Sequence, residues 1–269
     1  LLLGATVYTF SIILAVFLIG LGIGSSTGAA LARSATQPRR WLAGCQLLQV
    51  AAITWAAYAI AVVLPQWPAA MGGDSGHVSK FSVDLLRCGL AMLPSALLWG
   101  ASFPLALASL AQRRQDSARL VGRAYAANTL GAIAGAVLAS LALIPTIGTR
   151  TTQMTLIALS LIAAVLALRP RRGAEFGLLL GASAAAVFLA ACVPVLPWQL
   201  VAYGRQVAST NFGASALYVG EGMNATIAVS AVGDSRFFHV SGKTEASNID
   251  KDMRLQRMLG HIPALLHAN

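Results

Sequence analysis

The sequence predicts an α-helical multi-pass membrane bundle of about six spans, followed by a small β-meander plus a helix. Three observations predict it. The 269-residue chain is 57% hydrophobic and only 10% charged, against roughly 25% charged in soluble domains. Its apolar residues come in runs close to the ~20 that a helix needs to cross hydrocarbon. From about residue 210 the pattern changes to short alternating apolar and polar stretches, the period of a strand. The domain division is therefore 1–205 for the membrane part and 210–269 for the strand module.

The spans fall, in order, at 8–31, 41–64, 85–110, 124–144, 151–168 and 176–193. Helices are the only element expected there, because lipid offers no partner for the open backbone of a loop or sheet edge. The formal net charge of +10 sits entirely in this half. Residues 1–209 hold 14 Lys+Arg and 4 Asp+Glu, whereas residues 210–269 hold 5 and 5. Basic clusters follow the first span (Arg33, Arg39, Arg40), the third (Arg113, Arg114, Arg119, Arg123) and the fifth (Arg169, Arg171, Arg172). Such alternation is the positive-inside pattern of a cell (inner) membrane protein with those loops cytoplasmic. Six crossings then leave the C-terminal module outside, on the same face as the first residues.

Arginines placed between apolar runs are topogenic, and they exclude the basic, aromatic-lined face of a nucleic-acid binder. The lipid bilayer is the first partner. Cys45, Cys88 and Cys192 lack ligand-like spacing and read as small buried hydrophobes, so no metal site is expected. The chain opens inside apolar sequence without an initiator Met or a basic leader, and is expected to be part of a longer protein.

Within the spans, Gly20, Gly24 and Gly28 stand four apart, as do Gly131 and Gly135. Glycines at that spacing line one helix face and let backbones approach closely. They are expected to pack helices, within one chain or in a homo-oligomer. The intramembrane polar residues are Asp84 and Arg87, three apart and able to pair, Asn128 in the fourth span, and Gln46 and Gln49 in the second. Hydrogen bonds between helices are the expected use of the three amides. No carboxylate lies near mid-span, which counts against an ion-coupled transporter.

Past Trp198 and Tyr203, which suit a membrane interface, three strands are predicted: "SALYVGEG", "NATIAVSAV" and, after a Gly-Asp-Ser turn, "RFFHVSG" closed by Gly242. From Asp250, the residues Met253, Leu255, Met258, Leu259 and Ile262 recur at helical spacing, with Asn248 or Asp250 as cap. Three short strands and a helix bury little apolar surface alone, so a further layer is expected.

The stretch from Glu221 to Asn269 resembles the entry module of the spermidine synthase-like family, the polyamine aminopropyltransferases. "GASFPLALASL" and "GRAYAANTLGAIAGAVLASLALIPTIGTR" look like segments of that family's membrane-embedded, multi-pass branch. The resemblance implies that residues 210–269 are the N-terminal part of a spermidine synthase-like α/β domain, with a Rossmann-type catalytic domain to follow. It implies transfer of an aminopropyl group from a decarboxylated S-adenosylmethionine-type co-substrate to an amine, with no tightly bound cofactor and no catalytic residue in this stretch. Partners would be a small-molecule amine and the nucleoside donor.

Donor- and substrate-binding candidates transfer residue by residue. Asn224 and Glu245 stand where the family carries glutamines, Asp250 keeps its acidic turn, and His261-Ile262-Pro263 keeps its His-x-Pro. Gln256 belongs to Leu255-Gln256-Arg257, which replaces the family's polyamine-binding Tyr-His-Glu. A transporter of amines or nucleoside-like metabolites, or a membrane scaffold with a degenerate synthase fold, are the alternatives from other classes.

Overall fold

The computed structural model describes residues 2–4, 7–67, 77–111, 117–168, 174–209 and 213–267. Arg113, Arg114, Arg169, Arg171 and Arg172 of the basic loops lie outside the described residues. The chain divides into a helical unit, Thr6–Leu64 with Gly73–Val195, and a second unit comprising Leu196–Asn269 with Leu1–Ala5 and Pro65–Gly72.

In the helical unit, α1 (Val7–Ser34) buries Thr9, Ile12, Val16, Gly20, Gly24 and Gly28, one stripe at helical spacing. That stripe lies on α4 (His77–Leu110), with the two helices parallel. The Tyr8 ring meets Phe81 near one end, and Gly28 meets the Ala101 backbone near the other. A Cβ on Gly20 would stand 2.5 Å from that of Ala96, and one on Gly24 would collide with the Leu97 carbonyl. Gly100 of α4 answers from the other side, against the backbone of Leu21. Without a hydrophobic drive between helices in lipid, this close approach is what binds the pair.

The next helix, α2 (Pro38–Tyr58), starts with proline, whose missing N–H costs nothing at a helix start. It runs antiparallel to α4. Arg39 Nε donates to the Ser109 carbonyl (3.4 Å), Cys45 Sγ to Leu98 (3.2 Å) and Trp55 Nε1 to Leu90 (2.9 Å). The last of these has a local cause. Pro94 has no N–H to offer the carbonyl four residues earlier, which is Leu90, and the Trp55 indole takes that acceptor instead.

A wide π-turn, Ala59–Val63, leads from α2 into a last turn, α3 (Leu64–Gln66). A second, Ala139–Leu143, follows α5 (Ser117–Leu138). Each ends two residues before a proline, Pro65 or Pro145, and the extra residue in the turn relieves the ring's clash with the carbonyl below.

Helix α6 (Ile144–Leu168) has non-helical backbone at Gly148 (φ 77°, ψ 165°), a conformation open to glycine. With α7 (Ala174–Ala191), it packs on α2. Val50, Ile53 and Ala57 form a core there with Ile157, Ala186 and Val193. Arg150 Nε donates to the Val193 carbonyl at 3.0 Å.

Four stretches are long and apolar enough to cross a membrane: Val7–Ser34, Pro38–Gln66, Phe81–Leu110 and Ala118–Leu168; Leu179–Ala191 is a shorter apolar helix. These mark a membrane protein. None of Ala118–Leu138 is buried. Gly131 and Gly135 therefore face open space within this chain, unlike the α1 glycines, and Asn128 is exposed where an interhelical hydrogen bond is expected from sequence.

The second unit holds a four-stranded antiparallel sheet in sequential order. Its strands are β1 (Ser215–Glu221), β2 (Thr226–Val232), β3 (Ser235–Val240) and β4 (Lys243–Ser247). The sequence predicts three strands; β4 is the addition. Ser241 and Gly242 both adopt positive φ (50° and 86°), the two-residue turn whose twist suits a hairpin. A fourth strand follows from it despite the poor strand formers Lys243 and Glu245.

A short helix, α8 (Trp198–Tyr203), packs Val201 and Ala202 on Ala228 of the sheet. Trp198 and Tyr203, partly buried, pack against the same cluster. The amphipathic α9 (Asp250–Leu266) ends the described chain.

Candidate functional site

In a strand, successive side chains alternate faces. Ala228 and Ser230 of β2 therefore share one face with their β3 partners His239 and Phe237, and with Thr244 opposite His239 on β4. This is the face on which α8 packs. At its centre His239 is fully buried. Its Nε2 lies 2.8 Å from Ser230 Oγ and its Nδ1 lies 3.1 Å from Thr244 Oγ1. The Tyr203 ring stands edge-on to the imidazole at 5.1 Å, and the Tyr203 hydroxyl lies 3.5 Å from Ser230 Oγ. Burial pushes the imidazole pKa down, opposed by a hydrogen bond with the Ala202 backbone. The ring is thus a neutral clamp between α8 and three strands. Its inaccessibility denies Ser230 a role as a nucleophile, despite the Ser–His contact.

The sequence reading missed this cluster. Its signal is a histidine and a serine at inward positions of two strands that otherwise alternate, a pattern legible only once the register is known.

The handover from sheet to helix forms a second polar group. Ser247 Oγ donates to the Asp252 carboxylate and receives the Ile249 N–H (3.4 Å). Gln256 Nε2 donates to the Ser247 carbonyl at 3.3 Å. Asn248 does not cap the helix. Its Oδ1 accepts the Arg236 N–H (2.7 Å) and its Nδ2 donates to the Asp234 carbonyl (3.1 Å), fastening the β2–β3 turn to the start of α9. Ile249 is the N-cap residue, without a side-chain cap. Asp250 and Asp252 in the first turn complement the positive end of the helix.

The four binding candidates are spread along the sheet. Asn224 is exposed in the β1–β2 turn, which closes through the Gly222 N–H on the Ala225 carbonyl (2.9 Å). The Ser241 N–H reaches the Thr226 carbonyl (2.8 Å), so this turn shares an end of the sheet with the β3–β4 turn. Asp250 and Gln256 belong to the opposite end, beyond Ser247. Glu245 lies between, exposed on the edge strand. At ~3.3 Å per residue, the length of β4 separates the two ends by about 15 Å. Gln256 is the one candidate with a fixed partner; Asn224, Glu245 and Asp250 face solvent.

Two apolar surfaces lie beside them. One is the outer sheet face, with Tyr218 and Phe238 exposed in a row that runs through Val229 to Ala246. The other is the α9 stripe of Leu255, Met258, Leu259 and Ile262.

In the helical unit, Asp84 and Arg87 pair across one turn (3.9 Å), with Asp84 only 1% exposed. Gln49 is 1% exposed and neither atom of its amide has a hydrogen-bond partner among the described residues, so the interhelical hydrogen bond expected of it is not formed. Ser95 Oγ is likewise buried and unpartnered. Among the described residues, no group of three or more His, Cys, Asp or Glu side chains is placed to hold a metal ion.

No protein-family model, curated protein or solved structure matches the chain.

Proposed function

We propose that this chain is the membrane-anchored front part of an aminopropyltransferase-like enzyme. The observation that carries the reading is the way the antiparallel meander passes, through the Ser247–Asp252 contact, into an amphipathic helix with an acidic first turn. The apolar stripe of that helix and the outer sheet face both lie exposed. Surfaces of that kind call for a covering layer, and a nucleotide-binding α/β domain supplies one.

In the proposed reaction, an amine lone pair attacks the propyl methylene bonded to the sulfonium of a decarboxylated S-adenosylmethionine-type donor. The new C–N bond forms as the C–S bond breaks, the thioether nucleoside leaves, and the ammonium product loses its proton to a base. Asn224, Glu245 and Asp250, exposed beside the uncovered surfaces, are the groups available to line the entrance. Arg257 stands in the segment where the resembled family binds polyamine; its charge disfavours a second ammonium there, so a monoamine acceptor suits this chain better than a diamine.

The membrane part is read as six crossings. A helix rises 1.5 Å per residue, so the 51 residues of Ala118–Leu168 would extend about 75 Å against a ~30 Å hydrocarbon core. The break at Gly148 splits them into two spans, and α7 makes the sixth.

Donor binding tests the reading. Decarboxylated S-adenosylmethionine added to the intact gene product in detergent is expected to raise its melting temperature, since a ligand of the native state stabilises it by mass action, about 2.7 kcal/mol at 100-fold over Kd. Glu245→Ala with Asn224→Ala is expected to diminish the shift. No shift at millimolar donor contradicts the proposal.

A further inference from the structure

The α2–α4 interface contains a buried polar site that the enzymatic reading does not use. The Cys45–Leu98 and Trp55–Leu90 hydrogen bonds fix the register of the two antiparallel helices. Gln49 lies one turn beyond Cys45, which brings it level with the residue one turn before Leu98, Ser95. Both are at least nine-tenths buried, and neither side chain has a hydrogen-bond partner among the described residues. One turn along from each stands a small residue, Ala52 on α2 and Ala91 on α4, both buried. The depth is that of Pro94, where α4 has already surrendered a backbone hydrogen bond to Trp55.

A buried amide and a buried hydroxyl without partners would each cost on the order of 1–3 kcal/mol. Three unpartnered polar atoms that the antiparallel register sets at one depth match the two to four partners that hold an internal water. A charged occupant is disfavoured. The nearest acid on the same α4 stripe, Asp84, is already neutralised by Arg87, and an unpaired ion in a low-dielectric interior is far more costly than a neutral group.

We propose that Gln49 and Ser95 form a hydrated site in the core of the bundle, holding water between α2 and α4 at the depth of Pro94. The Gln49 carbonyl and the Ser95 oxygen accept from it, and the Gln49 NH2 donates. The site stands independently of the proposed transferase activity.

Thiol chemistry tests it, because only the thiolate reacts with a methanethiosulfonate reagent and a thiolate needs water. In a background lacking Cys45, Cys88 and Cys192, the full chain in proteoliposomes carries either Ser95→Cys or, as a dry control, Val50→Cys. Modification by a small membrane-permeant methanethiosulfonate is expected to be at least about tenfold faster at position 95 than at 50. Adding Gln49→Leu is expected to bring it down to the control rate. Equal rates at 95 and 50, or a fast rate at 95 indifferent to Gln49→Leu, overturns the proposal. Should Ser95→Cys fail to fold, Ala52→Cys reads the same site against the same control, with the same two outcomes.

Discussion

His239 shows how far one residue's environment departs from what its place in a sequence suggests. In the string "RFFHVSG" it is an ordinary polar strand residue; in the fold it is a buried neutral base held by Ser230 and Thr244. A histidine whose folded pKa is depressed contributes stability that is complete above its unfolded value and is lost as pH falls below it. With an unfolded pKa near 6.5, the sheet unit is expected to lose stability on acidification from about pH 7 downward. The difference in melting temperature between pH 7.5 and pH 5.5 checks this, and His239→Gln is expected to reduce it. The four-residue spacing made the α1 glycines legible as a packing face, but Gly131 and Gly135, at the same spacing, face open space within this chain. Gly24→Leu drives a side chain into the Leu97 carbonyl and is expected to cost ~1–3 kcal/mol or more by overpacking. Gly131→Leu on open α5 is expected to leave the melting temperature of the monomer nearly unchanged. A thermal melt of both variants in detergent decides between these outcomes.

Among the elements, α4 carries the clearest coupling. Pro94 frees the Leu90 carbonyl and Trp55 satisfies it, so the two residues act as a pair. Trp55→Phe is expected to destabilise by about 1–3 kcal/mol through the stranded acceptor. Pro94→Ala restores a backbone donor, and the same Trp55→Phe change is then expected to cost less. A double-mutant cycle with a coupling energy near zero would refute that account. The apolar runs made the helices legible, whereas their limits were not: the helix runs past Pro65 and Pro145, and the break in Ala118–Leu168 stands at Gly148. The fourth strand was not legible, because "KTEAS" carries a single β-branched residue, Thr244, and no large apolar side chain. Its order comes from the positive-φ turn at Ser241–Gly242. The role of α8 was equally hidden, since Trp198 and Tyr203 suit a membrane interface as well as a sheet.

At the scale of the molecule, helix periodicity and charge gave the outline: an apolar helical unit, and a second unit built around a sheet. The boundary at Leu196 falls before the residue-205 limit read from composition, because the apolar α8 belongs to the sheet by packing. Composition cannot separate an apolar residue that faces lipid from one that faces a strand. If the basic loops are cytoplasmic and six spans cross, a cysteine placed in the exposed β2–β3 turn, Asp234→Cys, is expected to react with an impermeant reagent added outside right-side-out membranes. Labelling only after permeabilisation would show an odd number of crossings. The candidate residues for the proposed chemistry remain on surfaces, with Asn224 and Asp250 at opposite ends of the sheet, so the chemistry itself offers the most direct test. The intact gene product, incubated with decarboxylated S-adenosylmethionine and a panel of monoamines and diamines, is followed by mass spectrometry. The account predicts an amine heavier by one aminopropyl group, formed in equal amount with the thioether nucleoside, and faster with monoamines; neither product appearing with any acceptor would contradict it.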